Sequence, residues 1–383
     1  HRPRLHAARA LRRARAGAVV REERRSAAMT PVPTVCALIV TYNRRALLAD
    51  TLAGLAAQTH ALDHVLVVDN ASTDDTAAFL AAQHPAVEHL RLDRNTGSAG
   101  GFHAGLAHAQ HAVHEGRPFD FVWVMDDDVV PEPDCLALLF AVAASSGKAV
   151  VVPERREADG TVRRAEHRLD DARQRYVPLD CPTSFAAPAT KPESPPRWCA
   201  TDVFTFEGPL VHRRALDAAG PHSEAAQPDA GLFITADDTH FAIAVYHALG
   251  AEASALVPDA GLSRQVPPPS DTVPVRSALK GWLTGNPALD LWPDRAHWKR
   301  VYYFRNRHLV WKRLGWHRRR WRHAALHAGY LVTDALAARR LGWAWRTRLR
   351  WNARAFWLGL RGQSGAFLDP AHYFAEIEDE QSR

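Results

Sequence analysis

The sequence predicts an α/β protein: a mainly parallel sheet flanked by helices, with a helical, basic and aromatic C-terminal extension. Two observations predict the sheet. Short apolar runs recur between residues 35 and 257, and most are followed by a stretch with helical apolar spacing. Strands buried on both faces read this way, and strand–helix alternation with short connectors makes neighbouring strands parallel. A third observation predicts the extension: residues 296–362 hold seventeen Lys and Arg against the single acid Asp334, and eight of the twelve tryptophans.

The elements follow in order. The chain has 383 residues, of which 46% are hydrophobic and 23% charged, a mix that excludes a disordered or fibrous protein. Residues 1–28 carry nine Arg and two Glu and show no core pattern, and Met29 stands just before the first strand-like run. They read as a tag, an over-extended gene start or a disordered arm; an Arg-rich, acid-poor leader can also be a targeting peptide, but this one lacks the apolar h-region of a secretory signal. Residues 35–40 (VCALIV) predict a buried strand, 44–57 a helix, and 64–68 (HVLVV) a second strand. The Asn70–Asp74 cluster offers a capping start for a helix running through residue 82. A strand over 87–92, a helix over 98–114, a strand over 119–125, a helix over 134–146 and a strand over 148–152 complete the alternation. Residues 153–199 break it, with a polar and then Pro-rich stretch that predicts an exposed hairpin and loop. Order returns over 200–220 and 231–249, and a last strand covers 252–257. The expected divisions are a leader (1–28), an α/β domain (29–275) with its 153–199 excursion, and a mostly helical region (276–383). Four cysteines without a C-x-x-C pair argue against a disulfide scaffold or structural zinc and for a reducing compartment.

In open α/β sheets, ligands sit beyond the carboxyl ends of the strands. Three features fall at such ends. Thr41-Tyr42-Asn43-Arg44 follows the first strand and Asp69-Asn70 the second; a carboxylate there suits a ribose or base edge, or equally a cap on the next helix. Asn95-Thr96-Gly97-Ser98-Ala99-Gly100-Gly101 lets backbone amides approach a phosphate, or simply allows a tight turn and close helix packing. The third feature decides. Asp126, Asp127 and Asp128 end a buried strand, and three adjacent carboxylates there are costly unless neutralised. In extended geometry Asp126 and Asp128 share a side and would hold one hard divalent ion, Mn²⁺ or Mg²⁺, with Asp127 on the other side. A second pair, Asp237-Asp238, opens a helical stretch, where it serves either as a cap or as a general base.

Taken in order, VCALIVTYNR, VLVVDNAST, NTGSAGGFHAGL and WVMDDDV resemble family 2 glycosyltransferases of GT-A fold over roughly residues 34–260, and most of all the bacterial galactofuranosyltransferase and rhamnosyltransferase-like branch. The resemblance implies inverting transfer from a nucleotide-activated sugar in cell-envelope synthesis, with UDP-galactofuranose favoured as donor and dTDP-rhamnose behind it. It implies that Thr41, Asn43 and Asp69 hold the nucleoside, and that Asn95, Gly100 and Gly101 lie beside the nucleotide and donor sugar. Asp126 and Asp128 would bind the metal, Asp127 would face the ribose or sugar, and Asp238 would be the base. The family often has a metal-ligating histidine about two dozen residues after the base; here the stretch reads Gly261-Leu262-Ser263-Arg264-Gln265, leaving the third position to water or to Arg264 acting on the diphosphate. His240 reads as structural. A nucleotidyltransferase would need a basic Gly-rich signature near the first strand, and none is present.

Basic helices studded with tryptophan suit an anionic membrane surface. That implies a lipid-linked or glycan acceptor and a cytoplasmic protein, peripheral at the inner face of the cell membrane. The same tryptophans would equally pack a helical subdomain. From another class, the alternative is a basic membrane- or nucleic-acid-binding protein with an inactive enzyme domain; no nucleic-acid motif accompanies the charge, so nucleic acid is not expected as a partner.

Overall fold

Every residue of the first strand, β1 (Val35–Thr41), is buried, as its unbroken apolar run requires. The computed structural model describes residues 33–383 except 115, 163, 182–195, 221, 223–229, 268–271, 278–279 and 283–285. The leader therefore lies outside the described residues, and Val35–Arg383 forms a compact unit.

Along the chain come α1 (Arg45–Ala56), β2 (His64–Asp69), α2 (Thr76–Gln83), β3 (Glu88–Arg91), α3 (Gly97–His111) and the short pair β4 (Val113–His114) and β5 (Arg117–Pro118). Then follow β6 (Phe121–Asp126), β7 (Val129–Pro131), α4 (Cys135–Ser146), β8 (Val150–Arg156) and the hairpin β9 (His167–Asp170) and β10 (Arg175–Pro178). The α/β part ends with β11 (Cys199–Thr201), β12 (Leu210–His212), α5 (Arg213–Ala219), α6 (Asp237–Leu249) and β13 (Ser254–Arg264). A last hairpin, β14 (Val273–Arg276) and β15 (Ala288–Leu291), leads into α7 (Asp294–Arg313), α8 (His317–Arg340), α9 (Trp345–Arg361) and α10 (Pro370–Ser382).

The central sheet runs β3-β2-β1-β6-β12-β8-β13-β11, with β7 beside β13. The β1–β2, β1–β6, β2–β3 and β8–β13 pairs are parallel, while β12 is antiparallel to both its neighbours. Successive side chains of β1 enter opposite faces: Cys36, Leu38 and Val40 join one core and Val35, Ala37 and Ile39 the other. Helix α3 covers the first core closely. A Cβ on Gly101 would sit 2.5 Å from Val40 Cγ1, and one on Gly105 2.5 Å from Leu38 Cδ1, so both positions need glycine for the helix to lie on β1.

Helix α2 starts at Thr76, whose amide donates to Asp74 Oδ1 (3.1 Å) in the expected capping cluster, and Asp69 and Asn43 hold residues 72–74 in the turn before it. Three expectations change. Strand β13 continues past Val257 through an irregularity in its pairing to reach Arg264 alongside β7. The 153–199 excursion does contain the hairpin, but its first part is not exposed: β8 runs to Arg156, and Glu154, Glu157 and Glu166 are buried. Cys181 and Cys199, expected as thiols, form a disulfide, whereas Cys36 and Cys135 are free and buried.

The C-terminal helices are built around a buried ionic network. Arg348, with no exposed surface, donates to Asp334 Oδ1 and Oδ2 (2.5 and 3.0 Å), Asp294 Oδ1 (2.8 Å) and the Trp292 carbonyl (3.0 Å). Asp334, the one acid in the basic stretch, is thus its internal counter-ion, held well below the usual carboxylate range by His297 and Arg348 against the effect of burial. Of the eight tryptophans, Trp311, Trp316 and Trp351 are buried, whereas Trp321 and Trp357 are 71% and 60% exposed. No helix among the described residues is long and apolar enough to cross a membrane.

The Gly101→Ala substitution is expected to cost about 1–3 kcal/mol, since the new methyl must displace Val40 or lift α3 from β1. Urea unfolding measures this; an unchanged midpoint would show that α3 can shift freely.

Candidate active site

Strand β6 ends at the first residue of the acidic motif, Asp126. Trp123 on this strand is fully buried and donates from Nε1 to the Gly208 carbonyl (2.8 Å), while Gly208 N donates to the Val124 carbonyl (2.9 Å). These bonds fix the turn before β12 and place the neighbouring Glu207 beside the aspartates. Burial raises the Asp126 carboxyl well above its ordinary range, reinforced by Asp128, Glu207, Asp127 and Asp237. The influence of Asp237 on Asp126 places the two acidic motifs, more than a hundred residues apart in sequence, near one another.

The strand ends at Asp126, and the chain turns at Asp127 and Asp128. The expected extended alternation therefore fails. Asp127 and Asp128 both face Arg44, whose Nη1 lies 3.1 Å from Asp127 Oδ1 and 3.3 Å from Asp128 Oδ2. Thr41 Oγ1 donates to Asp127 Oδ2 (2.7 Å), so this predicted pair is in direct contact. Asp128 Oδ1 is buried and has no hydrogen-bond partner. Thr51 Oγ1, on α1, bonds the carbonyls of Asp127 and Val129 (both 2.9 Å) and so anchors the turn from behind.

Cations reach the cluster from three elements. Arg44 precedes α1. Arg264, at the end of β13, lies 3.4 Å from Glu207 Oε1 and 3.7 Å from Asp128 Oδ2. Lys299 on α7 also faces it: burial, then Arg44, lower its ammonium pKa, while Asp128 and Asp126 oppose the shift. Of these, sequence reasoning raised only Arg264; Arg44 lay inside a recognised motif without a role, and Glu207 showed only as one acid in an otherwise apolar run.

Asp237 and Asp238 open α6 after a strained approach. Phe233, Thr235 and Ala236 have φ of 65°, 66° and 65°, left-handed values that cost non-glycine residues roughly 1 kcal/mol or more each. Asn306 of α7, fully buried, donates from Nδ2 to the carbonyls of Leu232, Ile234 and Thr235 (3.1, 2.8 and 2.8 Å). Arg305 binds the Gly231 and Leu232 carbonyls (3.3 and 3.1 Å). Helix α7 therefore holds the loop that aims the acidic pair. Burial raises both carboxyls, with Asp238 adding to the shift of Asp237. His240, one turn on, is buried, and burial pushes its imidazole down to about 3.

The remaining predicted residues brace the cleft's other wall. Asp69 is fully buried: Oδ1 accepts from Ser72 N (2.7 Å) and Oδ2 from Arg91 Nη1 (2.6 Å). Asn43, at φ 53°, accepts from Thr73 N (2.6 Å) and Asp74 N (3.2 Å). Asn95 Oδ1 accepts from Gly97 N (2.8 Å) and Asn70 Nδ2 (3.2 Å). The start of α3 does not offer free amides throughout: Thr96 N bonds Asn70 Oδ1 (2.8 Å) and Ala99 N the Phe233 carbonyl (3.1 Å). Gly97, at φ 73°, lets that carbonyl pass where a Cβ would lie 1.9 Å away. A Cβ on Gly100 would sit 2.3 Å from Thr96 Oγ1, so a side chain at this position would have to displace Thr96.

Residues 36–197 match the family described as glycosyl transferase family 2. The chain is 28% identical over 216 residues to the galactofuranosyltransferase GlfT1 of Mycolicibacterium smegmatis, covering 55% of this chain and 64% of that protein. It is 38% identical over 123 residues to GlfT1 of Mycobacterium tuberculosis, covering 31% of this chain and 39% of that one. The chain thus spans less than two thirds of these relatives. Among solved structures, S. aureus TarS aligns with a TM-score of 0.41 at 15% identity, over 61% of this chain and 37% of that chain. GalNAc-T7 with UDP, GalNAc and Mn²⁺ aligns with a TM-score of 0.44 at 14% identity, over 61% and 44%.

The raised carboxyl pKa values have a consequence for stability. A carboxyl held above its unfolded value favours folding while protonated and costs stability as pH climbs from the unfolded pKa through the folded one. With EDTA present, Asp126→Asn and Asp237→Asn are each expected to stabilise the protein at pH 7.5 by about 0.5–2 kcal/mol. The gain should vanish near pH 4, as thermal unfolding at the two pH values will show. A loss at pH 7.5 would mean that the carboxylates are structural rather than strained.

Proposed function

We propose that the chain is an inverting glycosyltransferase that moves a sugar, galactofuranose in first place, from a nucleoside diphosphate donor to an acceptor hydroxyl. One observation supports the reading: two acidic motifs, one ending β6 and one opening α6, come close enough to interact, with Arg44, Arg264 and Lys299 facing the first of them. Galactofuranose is favoured by the likeness to the two mycobacterial galactofuranosyltransferases.

Asp238 is the candidate base. Its carboxylate takes the proton from the acceptor hydroxyl, whose oxygen attacks the anomeric carbon on the face opposite the nucleotide. The bond from that carbon to the diphosphate breaks, and the electron pair leaves with the nucleotide. A raised pKa suits a group that must accept a proton near neutrality. Arg44, Arg264 and Lys299 stand on the diphosphate side and offset its growing charge. Thr41 and Arg44 hold Asp127 in place at the edge of the donor site. Asp69, Asn43 and Asn95 shape the nucleoside end by bracing its loops, with Gly100 and Gly101 setting how closely α3 lies beside the donor.

The donor set fits a hard divalent cation, Mn²⁺ or Mg²⁺: the groups are oxygens only, and Asp128 Oδ1 is buried without a partner. Asp126 and Asp128 would hold the ion, which when bound supplies Lewis-acid charge to the diphosphate. A lipid-linked acceptor at the cytoplasmic leaflet suits the exposed Trp321 and Trp357 on the basic helices α8 and α9.

Asp238→Asn should lower the transfer rate by roughly 10²–10⁴-fold while nucleotide affinity stays within a factor of about three of the parent; loss of both together would make Asp238 a ligand or a cap. Transfer measured in EDTA should fall to background and return with Mn²⁺ or Mg²⁺; full activity in EDTA sinks the metal assignment. In flotation with vesicles containing anionic lipid, Trp321→Ala with Trp357→Ala should release the protein into the unbound fraction, and equal flotation would leave those side chains without a membrane role.

A further inference from the structure

A cavity of about 520 Å³ opens among α7, α8, the β14–β15 hairpin and Tyr176 of β10. Its wall carries five basic residues and one acid, Asp290. Three of the arginines, Arg300, Arg307 and Arg319, make no ion pair with any carboxylate among the described residues. Aromatic rings hold them instead. The guanidinium of Arg300 stands 4.8 Å from the Tyr303 ring and 5.1 Å from Phe304; Arg307 stands 5.1 Å from Tyr303 and 5.5 Å from Trp311; Arg319 stands 5.3 Å from Trp311. Such stacking orients a guanidinium and leaves its positive charge in place. Arg300 Nε is buried with no hydrogen-bond partner. Burial, then Arg322 and Arg307, pull the Arg319 pKa below its ordinary value.

The cavity adjoins the candidate base. Arg307 and Tyr176, both on its wall, interact electrostatically with Asp238, so a ligand seated there reaches the carboxylate that activates the acceptor. The diphosphate side of the donor has its own cations in Arg44, Arg264 and Lys299, none of which lines this cavity.

We propose that this cavity seats a phosphate or diphosphate group borne by the acceptor, clamped by Arg300, Arg307 and Arg319, with the acceptor's sugar extending past Arg307 toward Asp238. Planar guanidinium groups donate paired hydrogen bonds to phosphate oxygens, and the rings beside them offer stacking faces for a saccharide or isoprenoid chain. The assignment to the acceptor rests on the function proposed above; the anion site stands on three arginines that line one cavity without an ion pair among the described residues, Arg307 bonding the Tyr176 hydroxyl (3.4 Å).

Calorimetric titration without sugar donor tests the site apart from transfer. The probes are inorganic pyrophosphate, farnesyl diphosphate and, as a reference for the donor cleft, UDP with Mn²⁺. Arg300→Ala combined with Arg319→Ala should weaken binding of farnesyl diphosphate at least roughly tenfold and leave UDP affinity unchanged. The exposed pair Arg339→Ala with Arg340→Ala removes the same charge from the far end of α8 and should bind like the parent. Arg319→Lys, which keeps the charge, should recover part of the affinity and shows that the fold is intact. Farnesyl diphosphate binding tighter than pyrophosphate supports an acceptor carried on lipid; equal affinities overturn that source in favour of a free anion. Unchanged affinity in the double variant, or a parallel fall in UDP binding, overturns the site.

Discussion

Buried negative charge is the constraint from which the rest of this structure follows. Asp126, Asp127, Asp128, Glu207, Asp237 and Asp238 converge where the central strands end, and burial raises the carboxyls of Asp126, Asp127, Asp237 and Asp238. Removing carboxylates from water costs several kcal/mol each unless cations or hydrogen bonds replace the solvent. The chain supplies only part of that replacement. Arg44 and Arg264 approach Asp128 from two sides, yet Asp128 Oδ1 keeps no partner. An incompletely neutralised cluster of this kind stores electrostatic free energy that a cationic ligand would release, and it keeps a carboxylate near the range where it can exchange a proton.

The same demand ties the first of the basic C-terminal helices to the acidic cluster. Helix α7 meets three needs with residues spaced along it. Lys299 faces the acidic cluster, Arg305 and Asn306 occupy the carbonyls of the strained 231–235 loop, and Arg307 lies between the candidate base and the basic cavity. Left-handed residues in that loop would relax without such support, because three carbonyls would lose their common donor. The apolar packing agrees: Phe233 stacks on Tyr302, and Ile243 of α6 packs with Val310, Trp311 and Trp316. The two readings of the tryptophans are thus divided by residue. Trp311, Trp316 and Trp351 build cores, whereas Trp321 and Trp357 leave large apolar rings in solvent on basic helices.

Glycine roles show how a motif can serve geometry before it serves a ligand. Gly101 and Gly105 let α3 lie on β1, and Gly97 lets the Phe233 carbonyl reach the Ala99 amide. That contact ties the start of α3 to the loop that leads into Asp237 and Asp238. Asp69, Asn43 and Asn95 act in the same way, spending their oxygens on the backbone amides of neighbouring turns and so giving the cleft a fixed wall.

The sequence by itself determined what depends on local order. Apolar runs such as Val35–Val40 had to be strands buried on both faces, the intervening periodic stretches had to be helices, and three consecutive aspartates had to mark a strand end with unusual chemistry. Only the tertiary structure decided what depends on distant segments meeting. It brought Glu207 and Arg264 to Asp128, turned Asp127 and Asp128 toward the same Arg44, joined Cys181 to Cys199, and set the start of α6 by hydrogen bonds from α7. The physical reason is that periodicity reports which face of an element avoids water, whereas the partner of a buried charge is fixed by whichever remote side chain folding delivers within a few ångströms.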